Sequence, residues 1–294
     1  MTPADAPTTT APHTGPVREI PNLLSVAGTD PTGGAGIHAD LKSFAAHRTY
    51  GMAAVTALVA QNTSGVRAIH VPEAEFLAAQ LASVTDDVAV DGVKIGMLGT
   101  VEVIDTVAAW WDGLWTGRAE RPALVLDPVM IATSGDRLLD AEAESALLAF
   151  LCRADLITPN VPELALLAGR EPAGDAETLI AQARVVADAH GVKVLAKGGH
   201  LAAGDVVDVL VHPAVDGVRP PEHRAAGPRV ETTSTHGTGC SVSAALAALR
   251  ARGLSWEEAV DEVKVWMTEA LRDAERLDVG MGHGPIQHFA QLWR

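Results

Sequence analysis

The feature that most narrows the fold is a rhythm along the chain. Short apolar runs alternate with segments of helical period, and the runs stop at Gly, Asp, Asn, Gln or Lys. Runs at 22–28, 51–60, 91–97, 123–129, 155–159, 193–199 and 205–211 read as strands. IHADLKSFAAH, EAEFLAAQLASV (73–84), VEVIDTVAAWWDGL, DAEAESALLAFL and 175–191 read as helices, the last closed by Gly191. Helices also occupy about 240–250 and 256–277. Strands bounded by helices build βαβ units and a largely parallel sheet covered on both faces, and strands without clean alternation fit that burial. In such a sheet ligands collect beyond the carboxyl ends of the strands. Gly28-Thr29-Asp30, Gln61-Asn62, Gly96-Met97, Asp127-Pro128, Pro159-Asn160 and Lys197-Gly198-Gly199 all fall there, which points to one crevice.

Composition removes several classes of function. With 48% hydrophobic and 20% charged residues, the 294-residue chain has material for a packed core, so wholesale disorder is excluded. Lys and Arg number 22 against 37 Asp and Glu, a net charge of −15, which repels nucleic-acid backbones and anionic lipid. The longest uncharged window, 49–66, is too polar to span a membrane. Residues 1–20, rich in Thr, Pro and Ala, read as a loose tail rather than a signal peptide, and 21–294 as one domain. Two distant cysteines, Cys152 and Cys240, suit a reducing cytoplasm.

Two glycine-rich turns carry the chemistry. The first, GTDPTGGAGIHAD (28–40), holds a formal GxGxxA after a strand and before a helix. A dinucleotide site also needs an acid about 20 residues on, and 41–72 has no Asp or Glu. The glycines instead suit close backbone approach to a small flat ligand, with Asp40 pointing back at it, or they are plain turn residues beside an exposed helix acid. The second turn, THGTGC, precedes a small-residue helix, so free N–H groups and the positive helix end converge on one spot fit for a transferring phosphoryl group. At that helix start Cys240 is expected to have a lowered pKa and to serve as base or polar anchor; otherwise it is a small, buried, inert side chain.

Other positions leave two readings open. Lys197 ends an apolar strand, where its charge needs a phosphate or a carboxylate such as Glu163. Asp127 and Glu163 are the ligand type that Mg²⁺ prefers, although Glu163 equally suits a helix cap around Asn160. There is no P-loop motif, no GxSxG elbow and no zinc-like arrangement of the 11 histidines. Trp110, Trp111 and Trp115 read as helix packing rather than as a base-stacking platform.

Taken together, AGTDPTGGAGIHADLKSF (27–44), YGMAAVTALVAQNTSGV (50–66), VKIGML (93–98), LDPVMIATSGDRLL (126–139), LITPNVPE (156–163), VLAKGGHL (194–201) and THGTGCSVSAAL (235–246) resemble the hydroxymethylpyrimidine/phosphomethylpyrimidine kinases of thiamine biosynthesis, in the ribokinase-like superfamily. The resemblance runs in family order over nearly all of 22–294. It implies a three-layer α/β/α fold with a central, mostly parallel sheet. It also implies an aminopyrimidine pocket among Gly28, Ala35, Asp40, Val59, Gln61 and Met97, where a Gln61 carboxamide both donates and accepts and Met97 covers the ring. Cys240 then maps onto the catalytic base, Lys197 onto the phosphate lysine, and Asp127 and Glu163 onto the Mg²⁺ side. The N–H groups of Gly237, Thr238, Gly239 and Cys240 would stabilise the transferring group. ATP and Mg²⁺ are implied, as are a small-molecule pyrimidine, a homodimer, and no nucleic-acid or membrane partner. Thr133 departs from the family, which often has a lysine there, and HRTYG (47–51) is more polar than usual. The competing readings are a pyridoxal or pyridoxine kinase of the same fold, and a regulatory protein that binds the pyrimidine without catalysis.

Overall fold

The structure, a computed structural model, describes residues 18–116, 121–130, 138–140, 142–201 and 204–293. Most of the expected tail, and Thr133, lie outside them.

The parallel part of the main sheet is built from β1 (Asn22–Ala27), β2 (Tyr50–Val55), β5 (Gly92–Ile95), β6 (Ala123–Leu126), β7 (Leu156–Ile157) and β8 (Lys193–Ala196). It continues antiparallel through β9 (Val206–Val211) and β10 (His223–Gly227). The order across the eight strands is β10-β9-β8-β7-β6-β5-β1-β2. A separate hairpin pairs β3 (Leu58–Asn62) with β4 (Gly65–His70).

The 51–60 run is therefore two strands of two sheets, not one. Thr56 makes the break: its N–H donates to the Ala27 carbonyl at 3.0 Å and its hydroxyl to the Met97 carbonyl at 2.6 Å. An apolar run looks the same whether it stays in one sheet or crosses to another. The short edge strand β10 was also not foreseen, because HRAAG has little apolar patterning.

Helices cover both faces. On one side lie α1 (Gly36–Ala46), α7 (Thr238–Ala251) and α8 (Trp256–Arg272), packed on Leu23, Val125 and Leu195. The other side carries α2 (Ala74–Thr85), α3 (Val101–Trp115), α4 (Ala143–Phe150), α5 (Val161–Leu167) and α6 (Ala176–His190), packed on Leu24, Leu124 and Leu126. Neighbouring strand residues such as Leu23 and Leu24 thus feed opposite cores, as the two-residue strand period requires. The result is a three-layer α/β/α architecture with a mostly parallel sheet, as the resemblance implies.

Local signals set the helix ends. Asp175 caps α6 by accepting from the Thr178 N–H at 2.7 Å, and Gly191 closes it at φ +63°. Ser255 and Glu258 form a reciprocal capping box on α8. Trp111 and Trp115 are buried with ring centroids 4.7 Å apart, so these tryptophans do pack the helix. Among the described residues no helix is long and apolar enough to cross a membrane.

Candidate active site

A cavity of about 600 Å³ runs along the carboxyl ends of the parallel strands, a size that suits small-molecule ligands. Its walls include Gly28, Ala35, Val59, Gln61, Met97, Asp127, Glu163, Lys197, Gly237, Gly239 and Cys240. The crevice expected at the strand ends therefore forms, and it gathers every candidate residue except Asp40.

One end is narrow and apolar. Thr29 ties it together, its N–H donating to the Ala57 carbonyl and its hydroxyl accepting from the Val59 N–H, both at 2.9 Å. A Cβ added to Gly28 would lie 3.2 Å from Met97 Sδ and 3.5 Å from Val59 Cγ2, so Met97 and Val59 pack directly on the bare backbone and the three form one apolar wall of a slot. Gly36 has φ +55°, and a Cβ there would fall 2.2 Å from the Gly28 carbonyl oxygen. Only glycine fits that turn.

The other end is charged. Asp127, just past β6, accepts from Thr158 Oγ1 at 2.8 Å and from Lys197 Nζ at 3.1 Å. Burial works against the charge on Lys197, but Asp127 and Glu163 outweigh it and hold the ammonium above its ordinary pKa. Glu163 does form the capping box: its Oε2 accepts from the Asn160 N–H at 2.8 Å, and Asn160 Oδ1 accepts from the Glu163 N–H at 2.9 Å. It also faces the cavity, where burial, aided by nearby Asp127 and opposed by Lys197, pushes its carboxyl up to about 7. Helix α7 begins against this pair. No side chain caps its start at Gly237, and a Cβ on Gly239 would lie 3.2 Å from Lys197 Nζ and 3.4 Å from Asp127 Oδ2.

Two expectations are corrected. The Cys240 pKa is not lowered; burial, reinforced by Asp40 and Asp127, pushes the thiol up to about 11 despite Lys94 and a Gly36 N–H. A helix end is worth at most ~2 kcal/mol, less than the removal of water from a thiolate. Asp40, in turn, does not line the cavity. It is fully buried beneath α1, where Ser25 Oγ donates to it at 2.5 Å and Lys94 Nζ meets both its oxygens at 2.8 Å. Those bonds and the charges around Lys94 outweigh burial and keep its ammonium charged.

By sequence alone Lys94 and His236 have no role, and Asp30 lies at a strand end without a partner. Lys94 sits inside an apolar strand run, a position whose charge cost signals a buried partner. Asp30 and His236 lie in the two glycine turns, but nothing local shows that they meet.

Comparison with known proteins agrees with this geometry. The family model for phosphomethylpyrimidine kinase matches residues 30–287. The chain belongs to the phosphomethylpyrimidine kinase family. It is 46% identical over 273 residues to the hydroxymethylpyrimidine/phosphomethylpyrimidine kinase of Salmonella typhimurium, covering 92% of this chain and 98% of that one. It is 51% identical over 270 residues to a thiamine biosynthesis multifunctional protein of Corynebacterium efficiens, covering 92% of this kinase but only 35% of that longer protein. In structure it resembles Bacillus subtilis pyridoxal kinase, solved as an ADP complex, with a TM-score of 0.82 and 32% identity, covering 94% of this chain and 100% of that one. The chain is thus a member of a kinase family.

Proposed function

We propose that this kinase transfers the γ-phosphoryl group of ATP to 4-amino-5-hydroxymethyl-2-methylpyrimidine, and then to the monophosphate, giving the diphosphate used in thiamine biosynthesis. One observation carries the reading: a single cavity joins a thin apolar slot beside a carboxamide to an uncapped helix start flanked by Lys197. The slot suits a flat heteroaromatic ring laid against the wall that Gly28, Val59 and Met97 form. Gln61 offers both a donor and an acceptor to an amine and a ring nitrogen. The opposite end suits phosphate, since phosphoryl transfer is mostly positioning and charge stabilisation.

In this mechanism Lys197 neutralises phosphate charge, and the N–H groups of Gly237 to Cys240 face the transferring group. Cys240, protonated at neutral pH, anchors the acceptor hydroxyl rather than waiting as a preformed thiolate base. The donor set fits Mg²⁺: two carboxylates, Asp127 and Glu163, share the cavity, and hard carboxylate oxygens are the ligands this ion takes. When bound, the ion supplies charge neutralisation on the ATP phosphates. The described residues hold no cluster of three or more His, Cys, Asp or Glu suited to a metal, which agrees with an ion held mostly by phosphate and water.

Residues 21–294 act as one domain in this reading, working as a cytoplasmic homodimer. The two free thiols, Cys152 and Cys240, suit a reducing compartment, and light scattering on the purified protein tests the dimer.

Turnover of the pyrimidine, its monophosphate and pyridoxal with ATP and Mg²⁺, run beside Cys240→Ala, tests the whole. Diphosphate formation, with the variant reduced about 10²-fold or more, is expected. A wild-type rate rising steadily toward pH 11 would instead restore a thiolate base. Turnover of pyridoxal alone would favour the second reading, a pyridoxal kinase, which the structural likeness to the Bacillus subtilis enzyme supports.

A further inference from the structure

Asp30 is fully buried in the first glycine turn and saturated with donors. Its Oδ1 accepts from the Thr32 N–H at 2.9 Å and the Thr32 hydroxyl at 2.8 Å. Its Oδ2 accepts from the Gly34 N–H at 2.9 Å and the Ala35 N–H at 2.8 Å, and it meets His236 Nε2 at 2.7 Å. Burial opposes the charge on this carboxyl, but hydrogen bonds led by His236 hold it well below the usual carboxylate range. An ionised carboxylate only accepts, so Nε2 of His236 carries the proton.

His236 directly precedes Gly237, and the two turns interlock there. A Cβ on Gly237 would lie 1.8 Å from the Gly34 carbonyl oxygen, and one on Gly34 would lie 2.5 Å from His236 Cδ2. The backbone N–H of His236 donates to the Gly284 carbonyl at 3.0 Å. One side chain therefore joins the turn that shapes the slot to the turn that opens α7, across 206 residues of sequence.

We propose that His236 is a positioning residue for phosphoryl transfer: held by Asp30, it fixes the distance between the acceptor slot and the α7 N–H groups. This rests on the reading above, in which the acceptor occupies the slot and the phosphoryl group meets α7. His236 also lines the cavity and Ala35 shares its carboxylate oxygen, but the bond involves neither Val59, Met97 nor Lys197, so its loss leaves the contacts of those residues with each ligand in place. What changes is their mutual alignment, and a misplacement of about 1 Å costs roughly 10²-fold in rate.

Steady-state kinetics of His236→Gln, His236→Asn and His236→Leu, with melting temperatures, test this. Gln places an N–H near the position of Nε2; Asn is too short and Leu has no donor. The expected result is a kcat loss of about 30–100-fold for Asn and Leu, with both KM values within about threefold, and recovery to within about fivefold of wild type by Gln. If Leu does not fold, Asn against Gln decides. The proposal fails if Asn keeps wild-type kcat, if Gln falls as far as Asn, or if the loss appears in KM or tracks a lowered melting temperature. Absence of pyrimidine turnover by the wild type would overturn the functional reading instead, before any variant is compared.

Discussion

Beneath the first glycine turn, Lys94 and Asp40 are fully buried and bonded to each other at 2.8 Å. At the charged end of the cavity, Lys197 meets Asp127 at 3.1 Å and keeps 16% of its side chain exposed, toward the cavity. Both pairs join a lysine to an aspartate near the carboxyl edge of the sheet. They differ in what remains for a ligand. Lys94 spends its donors inside the fold, with Ser25 completing the set on Asp40. Lys197 shares its surroundings with Glu163, whose carboxyl is displaced to about 7, and with the uncapped start of α7. A charge that the fold satisfies completely stabilises the fold, and one that it satisfies in part is open to chemistry.

Breaking each pair should separate these duties. Lys94→Met leaves Asp40 buried without its cation and is expected to destabilise the fold by about 3–5 kcal/mol; urea unfolding measures this, and a loss below 1 kcal/mol would erase the contrast. Lys197→Ala is expected to lower kcat about 10²–10³-fold, the scale of losing one charge-stabilising group. Its urea midpoint should fall clearly less than that of Lys94→Met, and an equal loss of stability would make Lys197 another Lys94.

Glu163 sharpens the comparison through pH. Its folded pKa, about 7, lies above its ordinary value of 4.5, so the folded state binds the extra proton. The stability it contributes is full below pH 4.5 and is lost as pH rises through 7. Glu163→Gln should remove that component, about 3 kcal/mol over the interval, seen as the difference between wild-type and variant urea curves. Saturating Mg²⁺ with ATP should shrink the difference by favouring the carboxylate. Parallel curves at all pH values would contradict the displaced pKa.

The smallest effect is expected far from both pairs. Ser255→Ala removes the α8 capping box at a cost of about 1 kcal/mol, with kcat unchanged. A change in kcat would mean that α8 transmits strain to the cavity.

Much of the site was legible in the sequence because its residues sit where strands stop, and strand ends are written locally. Gly28, Asp127 and Lys197 each follow a strand directly and Met97 lies two residues past one, and the sheet alone brings them together. Asp40 was misjudged because a helix acid looks the same in sequence whether it faces a ligand or a buried lysine 54 residues away. Glu163 kept both of its readings, since the local N-cap pattern and the cavity wall are compatible.

The sequence by itself determined the alternation of strands and helices, the capped helix ends, and the two glycine turns. All of these follow from backbone preferences and periodicity within a few residues. Only the tertiary structure decided that β2 and β3 belong to different sheets, that Asp40 pairs with Lys94, that Asp30 holds His236, and that the Cys240 thiol keeps its proton. Each of those depends on which distant strand lies alongside and how much water it excludes, and strand order and burial are properties of the assembled sheet.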